Sequence, residues 1–243
     1  MQNAWIVARR ELGAIFVQPI AYVFTMVMLF ITGFIFAAQI SVPIIQGGPP
    51  PTVASILGTF TFLALFTLPA VTMRLLSEEQ QSGTIELLMT LPIRDSEVVV
   101  GKWLAGFIFY LFTTAFTLIY PFMLIRFGNP DIGPIISAYV GTLLWGAALV
   151  GIGVLASAMS ENQINALIIA AGINLLLYLM AIPADFFTVV PTISTIFNEL
   201  SMQAHLSNFL IGLVKVTDVL YYVIVAAVAL FAAARVLESR RWR

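Results

Sequence analysis

Apolar residues run almost unbroken through six stretches of the chain, at 19–40, 53–73, 98–125, 135–159, 164–182 and 216–234. The polar residues collect between them. A helix needs about 20 apolar residues to cross a hydrocarbon core about 30 Å thick. No stretch alternates with a period of two, which argues against a membrane barrel. The pattern predicts an all-α, polytopic helical membrane protein, with six transmembrane helices in a single transmembrane domain. The third stretch is longer than the core requires, so its helix is expected to tilt or to project beyond the bilayer.

Residues 1–18 carry a different pattern. Trp5, Ala8, Leu12 and Ile15 or Phe16 recur at helical spacing, with Arg9, Arg10 and Glu11 assigned to another face. That is the signature of a helix lying in the membrane interface. The apolar run at 19–40 is about twice as long as a signal-peptide core, so it reads as a permanent span. Between the last two spans, 183–215 stays rich in Phe, Val, Ile and Leu. Long loops without structure of their own are uncommon. The segment is therefore expected to form two short helices that dip into the outer leaflet or cap the bundle. GGPPP at 47–51 marks a turn.

Composition agrees with the pattern. Hydrophobic residues make up 60% of the 243 and charged residues 9%, against about 25% charged in soluble domains. A net charge of −1 gives no field for nucleic acid. With no cysteine, disulfides and thiolate metal sites are excluded. One histidine, His205, is too few for a histidine metal centre and reads as a structural or surface residue. If both termini are cytoplasmic, nine lysines and arginines lie inside and only Arg126 and Lys215 outside, in line with the positive-inside rule. The 74–97 loop is then cytosolic.

That loop gathers charge around an oily centre, RLLSEEQQSGTIELLMTLPIRDSEVV. Nothing in Arg74–Gln81 breaks a helix, so span two should continue into it, with Glu78 and Glu79 on the exposed extension. Gly83 can take the left-handed conformation that ends a helix. Thr84 can cap a short helix over 84–91, with Glu86 complementing its positive end and Pro92 closing it. Asp95 and Ser96 are expected to cap span three, and Gly101, Lys102 and Trp103 to mark the membrane surface. The short helix is apolar nearly all round, through Ile85, Leu87, Leu88, Met89 and Leu91. Each such side chain left in water costs about 1.5–3 kcal/mol, so something must cover it. Its own bundle and another protein both remain open as the cover.

The stretch GTIELLMTLPI…VVVGKW, preceded by SEEQQS, resembles the cytosolic loop of ABC transporter permeases of the type-2 exporter class (ABC-2). The matching positions are Glu78 or Glu79, Gly83, Thr84, Glu86, Leu88, Pro92, Gly101 and Lys102. Within that class the layout is most similar to the gliding-motility-associated branch. The resemblance implies a multi-pass permease subunit of the bacterial inner membrane, not itself an enzyme. ATP and magnesium would be held by a separate ABC ATPase, and no cofactor by this chain. It further implies that the short helix is a coupling helix. Ile85, Leu87 and Leu88 would seat in a groove of the ATPase, with Glu78, Glu79 and Glu86 pairing with its basic residues. Glu161, in the loop between spans four and five, would make a second contact or simply cap span five. A second permease would complete the pathway, either a copy of this chain or a related one with a large periplasmic domain.

The only Gly-Lys pair, Gly101-Lys102, has Ser96 where a Walker loop needs its first glycine and Trp103 where it needs a hydroxyl. The nucleotide loop is excluded. The spans hold few ionisable groups, which disfavours an ion-coupled carrier. Asp218 and Lys215, at the outer edge of span six, read as solvated by headgroups. Thr59, Thr61, Thr67 and Thr72 are pore-facing by analogy with the family. Ala147, Gly151, Gly153 and Ser157 form a small-residue pattern suited to close helix packing. Two functions fit these features. One is an ATP-driven export or force-transmitting permease. The other is a non-transporting scaffold of an ATPase complex that acts on a periplasmic partner. No residue nominates a substrate.

Overall fold

Helix α7 (Ile132–Met159) is the axis of the molecule. Its sequence, rich in Gly, Ala and Ser, lets neighbours approach closely enough for backbone and ring to touch. A Cβ on Gly146 would lie 2.0 Å from the Tyr110 ring, and one on Gly153 would lie 2.1 Å from Thr72 Oγ1. In a membrane, where lipid is as apolar as leucine, such packing is what holds helices together. The expected small-residue stripe is there: Ala147 O accepts from Trp103, Gly151 sits against Ala226, Gly153 against Thr72 and Ser157 against residues 73–77.

The computed structural model describes residues 2–46, 52–84, 93–128, 130–186 and 191–240, and among these every regular element is a helix. The other eleven are α1 (Gln2–Val17), α2 (Pro19–Gln46), α3 (Val53–Thr72), α4 (Arg74–Gln81), α5 (Asp95–Phe116), α6 (Ile119–Phe127), α8 (Gln163–Leu179), α9 (Ala181–Phe186), α10 (Pro191–Leu200), α11 (Met202–Leu210) and α12 (Val216–Arg240). Six of the resulting helical runs are long and apolar enough to cross a membrane: Pro19–Ser41, Val53–Gln81, Asp95–Phe127, Ile132–Met159, Gln163–Pro183 and Val216–Arg240. These are the six predicted spans. The over-long third run turns at Thr117, between α5 and α6, where the Thr117 hydroxyl donates to Thr114 O.

Side chains fix several helix starts. Asp131 accepts from the Gly133 amide at 3.0 Å, Asn162 from Ile164 at 2.8 Å and Ser201 from Ala204 at 3.2 Å, each satisfying an otherwise orphaned donor. Span three departs from expectation. Its cap is Arg94, whose amide donates to the Glu97 carboxylate at 3.3 Å, while Asp95 already lies inside the helix.

The core surrounds α7. Trp145 and Tyr110 are fully buried, and each polar tip is satisfied: Trp145 donates to Thr61 O at 3.1 Å and Tyr110 to Thr142 O at 3.0 Å. Thr61 and Thr72 are buried and donate to carbonyls of their own helix. Among the described residues, the two short helices expected after span five are α10 and α11, while α9 overlaps the end of span five itself. Of these, α11 buries Met202, Leu206 and Phe209 and is tied to α7 by the Ser137 hydroxyl on Phe209 O, 2.8 Å. It caps the bundle. Ser137 and Ser157 are twenty residues apart on one helix, about 30 Å at 1.5 Å per residue, so α11 and α4 mark opposite ends.

Candidate functional site

The end of the bundle that carries α4 is organised by one lysine. Lys102, in the first turns of α5, has no exposed surface. It is buried because Gly101 beside it has no side chain: a Cβ there would lie 2.7 Å from Ala4 O and 2.8 Å from Val7 Cβ. Helix α1 therefore lies flat on α5. The face it buries is Ala4, Val7, Ala8 and Ile15, while Trp5 and Ile6 point outward. This is a rotation of the face expected from sequence. It moves Glu11 from the polar side to the seam.

Glu11 meets Lys102 there, Oε1 to Nζ 3.1 Å, and Glu79 of α4 meets it from the other side, Oε2 to Nζ 2.9 Å. Lys102 also donates to the Leu75 carbonyl, holding the backbone of α4 itself. At the rim, Arg10 bridges the same two carboxylates, 2.7 Å from Glu11, with Glu79 as its second partner. The guanidinium is held above its ordinary pKa first by the hydrogen bond it donates to Glu11, against the opposing effect of burial. Two cations and two anions thus cancel in a seam joining α1, α4 and α5. A buried ammonium is tolerable only with such partners. Lys102 is no surface marker.

The network closes one wall of a cavity of about 590 Å³, lined by Arg10, Glu11, Arg74, Glu78, Glu79, Lys102, Ser82 and Thr84 among others. The predicted loop residues divide around it. Glu78 is half-exposed and bonded to Arg74 at 3.0 Å, as an exposed extension requires. Glu79 is turned inward, its side chain 16% exposed, and is spent on the network. Gly83 has φ +72°, the left-handed stop predicted for it. Thr84 shares a hydrogen bond with Ser82 at 2.8 Å. Ile85, Glu86, Leu87 and Leu88 lie outside the described residues, as does the helix expected over them. Glu161 is exposed and pairs with Arg240 at 3.2 Å, tying the α7–α8 turn to the end of α12. That turn follows directly on Ala158, whose carbonyl accepts from Gln80 at 2.9 Å, so both predicted loop contacts share one end of the bundle.

At the opposite end lies a second buried cluster that sequence reasoning missed. Asp218 is 2% exposed, not solvated. It accepts from Asn208 at 2.9 Å and lies 2.7 Å from His205 Nδ1, while His205 Nε2 faces the Glu199 carbonyl at 3.1 Å. The imidazole also stacks on Tyr221, centroids 4.2 Å apart. The only available signal was the pairing of a lone histidine with a span-edge aspartate. Among the described residues no group of three or more His, Cys, Asp or Glu could hold a metal. Asn174 is fully buried in α8, and neither end of its amide meets a partner among the described residues.

Residues 38–242 match the model of the family described as ABC-2 family transporter protein. The chain belongs to the ABC-2 transporter family. No curated protein matches it. Membership makes this ABC-2 chain a membrane permease component of an ABC transporter, a multi-pass protein whose family implies an ABC ATPase as partner. A nucleotide-binding domain is a separate kind of unit, which agrees with the failed Walker pattern.

Proposed function

We propose that this chain converts ATP hydrolysis on a separate ABC ATPase into movement of its own bundle, for export or for force transmission across the bacterial inner membrane. The observation that carries this reading is the seam at Lys102. It binds α4, the continuation of span two, to α1 and α5 through buried charge. A push on the loop beyond Gly83 would reach three helices at once. In this reading Ile85, Glu86, Leu87 and Leu88 form the coupling helix and Glu78 its charged flank. Glu161 belongs to a second, smaller contact, and Glu79 acts within the chain instead. The excess of basic residues at this end supports a cytosolic position for it. A second permease, a copy or a relative with a periplasmic domain of the gliding-motility-associated kind, completes the assembly.

The test is to purify the chain from native membranes with its associated ATPase and to introduce Glu86→Arg or Leu88→Asp. Either should abolish ATPase association or its coupling, with the permease still inserted and folded. ATP turnover and assembly unchanged by both substitutions would refute the coupling-helix assignment.

A further inference from the structure

The path by which movement of α4 enters the bundle can be read from the break at Met73. Helix α3 carries Pro69, which has no amide hydrogen, and its last turn closes with the Met73 amide on Pro69 O at 2.8 Å. The helical ladder is then interrupted. In a continuous helix the Leu76 amide would go to Thr72 O. It donates instead to Ser157 Oγ of α7 at 2.9 Å. The Ser77 amide donates to the same oxygen, also at 2.9 Å. The Ser157 hydroxyl proton returns to Met73 O at 2.8 Å. One side chain from a neighbouring helix thus supplies an acceptor for two amides and a donor for a carbonyl, as inserted groups do at helix kinks.

The rest of α4 follows the same allegiance. Gln80 donates to Ala158 O at 2.9 Å, one turn further along, and Leu75, Leu76 and Ser77 are buried. Just before the break, Thr72 fills the space left by Gly153, one turn before Ser157 on α7. On α7, Gly153 and Ser157 lie one turn apart on the same face, and Ala158 adds only its backbone carbonyl.

We propose that Ser157 is the positioning residue at which α4 is spliced to span four, so that displacement of α4 is delivered to α7 directly and not only along the ladder of α3. This rests on the coupling reading above for its functional meaning, while the splice itself does not need it. A serine suits the task. Its hydroxyl accepts twice and donates once, and its small size lets the two helices touch; alanine keeps the size and removes all three bonds.

Two measurements test this. In the purified permease, hydrogen exchange at the Leu76 and Ser77 amides should accelerate about 10- to 100-fold in Ser157→Ala, with amides of α11 unchanged. Unchanged exchange at both amides would overturn the splice. In the ATPase complex, the absence of native cysteine allows a spin-label pair at Gln81 and Val140, which reports α4 against α7. The expected distance distribution is narrow and the same with and without ATP in the parent chain. In Ser157→Ala it should broaden under ATP while ATP turnover persists. A parent distance that changes with ATP as much as in the variant would show that α4 moves independently of α7, overturning the splice and leaving the coupling reading intact. Loss of ATP turnover upon Glu86→Arg, with this distance behaving as expected, supports both.

Discussion

Two clusters of buried charge lie at opposite ends of α7, and they are built on different terms. At the α4 end, Lys102 of α5 is surrounded by partners from two other helices, α1 and α4, with Arg10 at the open rim and a cavity alongside. At the α11 end, His205, Asp218 and Asn208 are closed in by Tyr221 and Tyr222, and both imidazole nitrogens and both Asp218 oxygens are matched locally. The first couples elements far apart in sequence, at positions 11, 79 and 102. The second joins α11 to the helix that follows it, across thirteen residues between His205 and Asp218. On the proposed reading, the long-range seam beside a cavity is where force would enter, while the short-range knot fastens α11 to the helix that follows it.

The difference predicts unequal consequences. Lys102→Met should be the most damaging change, leaving Glu11 and Glu79 facing each other without their ammonium. A loss of about 3–5 kcal/mol is expected from breaking such a buried group, read as a large fall in melting temperature in detergent. Adding Glu11→Leu and Glu79→Leu to it should recover most of that loss, because what destabilises is the stranded charge. Asp218→Ala should cost about 1–3 kcal/mol by orphaning His205 and Asn208. Its effect should be local, seen as faster proteolysis within 191–215 with the α4 end unchanged. Arg74→Ala breaks only a pair open to solvent and should shift stability by less than about 0.5 kcal/mol. The smallest effect sharpens the comparison most. Combined, Lys102→Met and Asp218→Ala should add to within about 0.5 kcal/mol, since they share no partner and belong to opposite ends of the bundle. A larger coupling energy would show that the two ends are not independent.

Much of the fold was legible because its determinants are local. Six apolar runs are visible without knowing what they pack against, and all six form helices. Gly83 announces its positive φ through its lack of a side chain. The stripe from Ala147 to Ser157 announces close packing through size. What was misread depended on rotation and partner. Glu11 looked polar-facing because its neighbours Arg9 and Arg10 are charged, yet the close approach at Gly101 turns it into the seam. Asp218 looked like a headgroup contact because span edges are cheap places for charge, and the histidine that claims it sits on another helix. Glu79 was indistinguishable from Glu78 in sequence, but adjacent helical positions point about 100° apart, so only one of them meets Lys102.

By itself the sequence determined the class of molecule, the number and extent of its spans, and the loop whose motif resembles the family that the chain belongs to. These follow from hydropathy and from residues with special backbones, properties each residue carries alone. The tertiary structure decided which charges are buried, which glutamate is spent inside the chain, and that α4 is joined to α7 through Ser157. Those depend on which helix faces meet. In a chain so uniformly apolar, hydrophobicity scarcely distinguishes one face from another, so the choice falls to the contours of small residues and the few polar groups that must find partners.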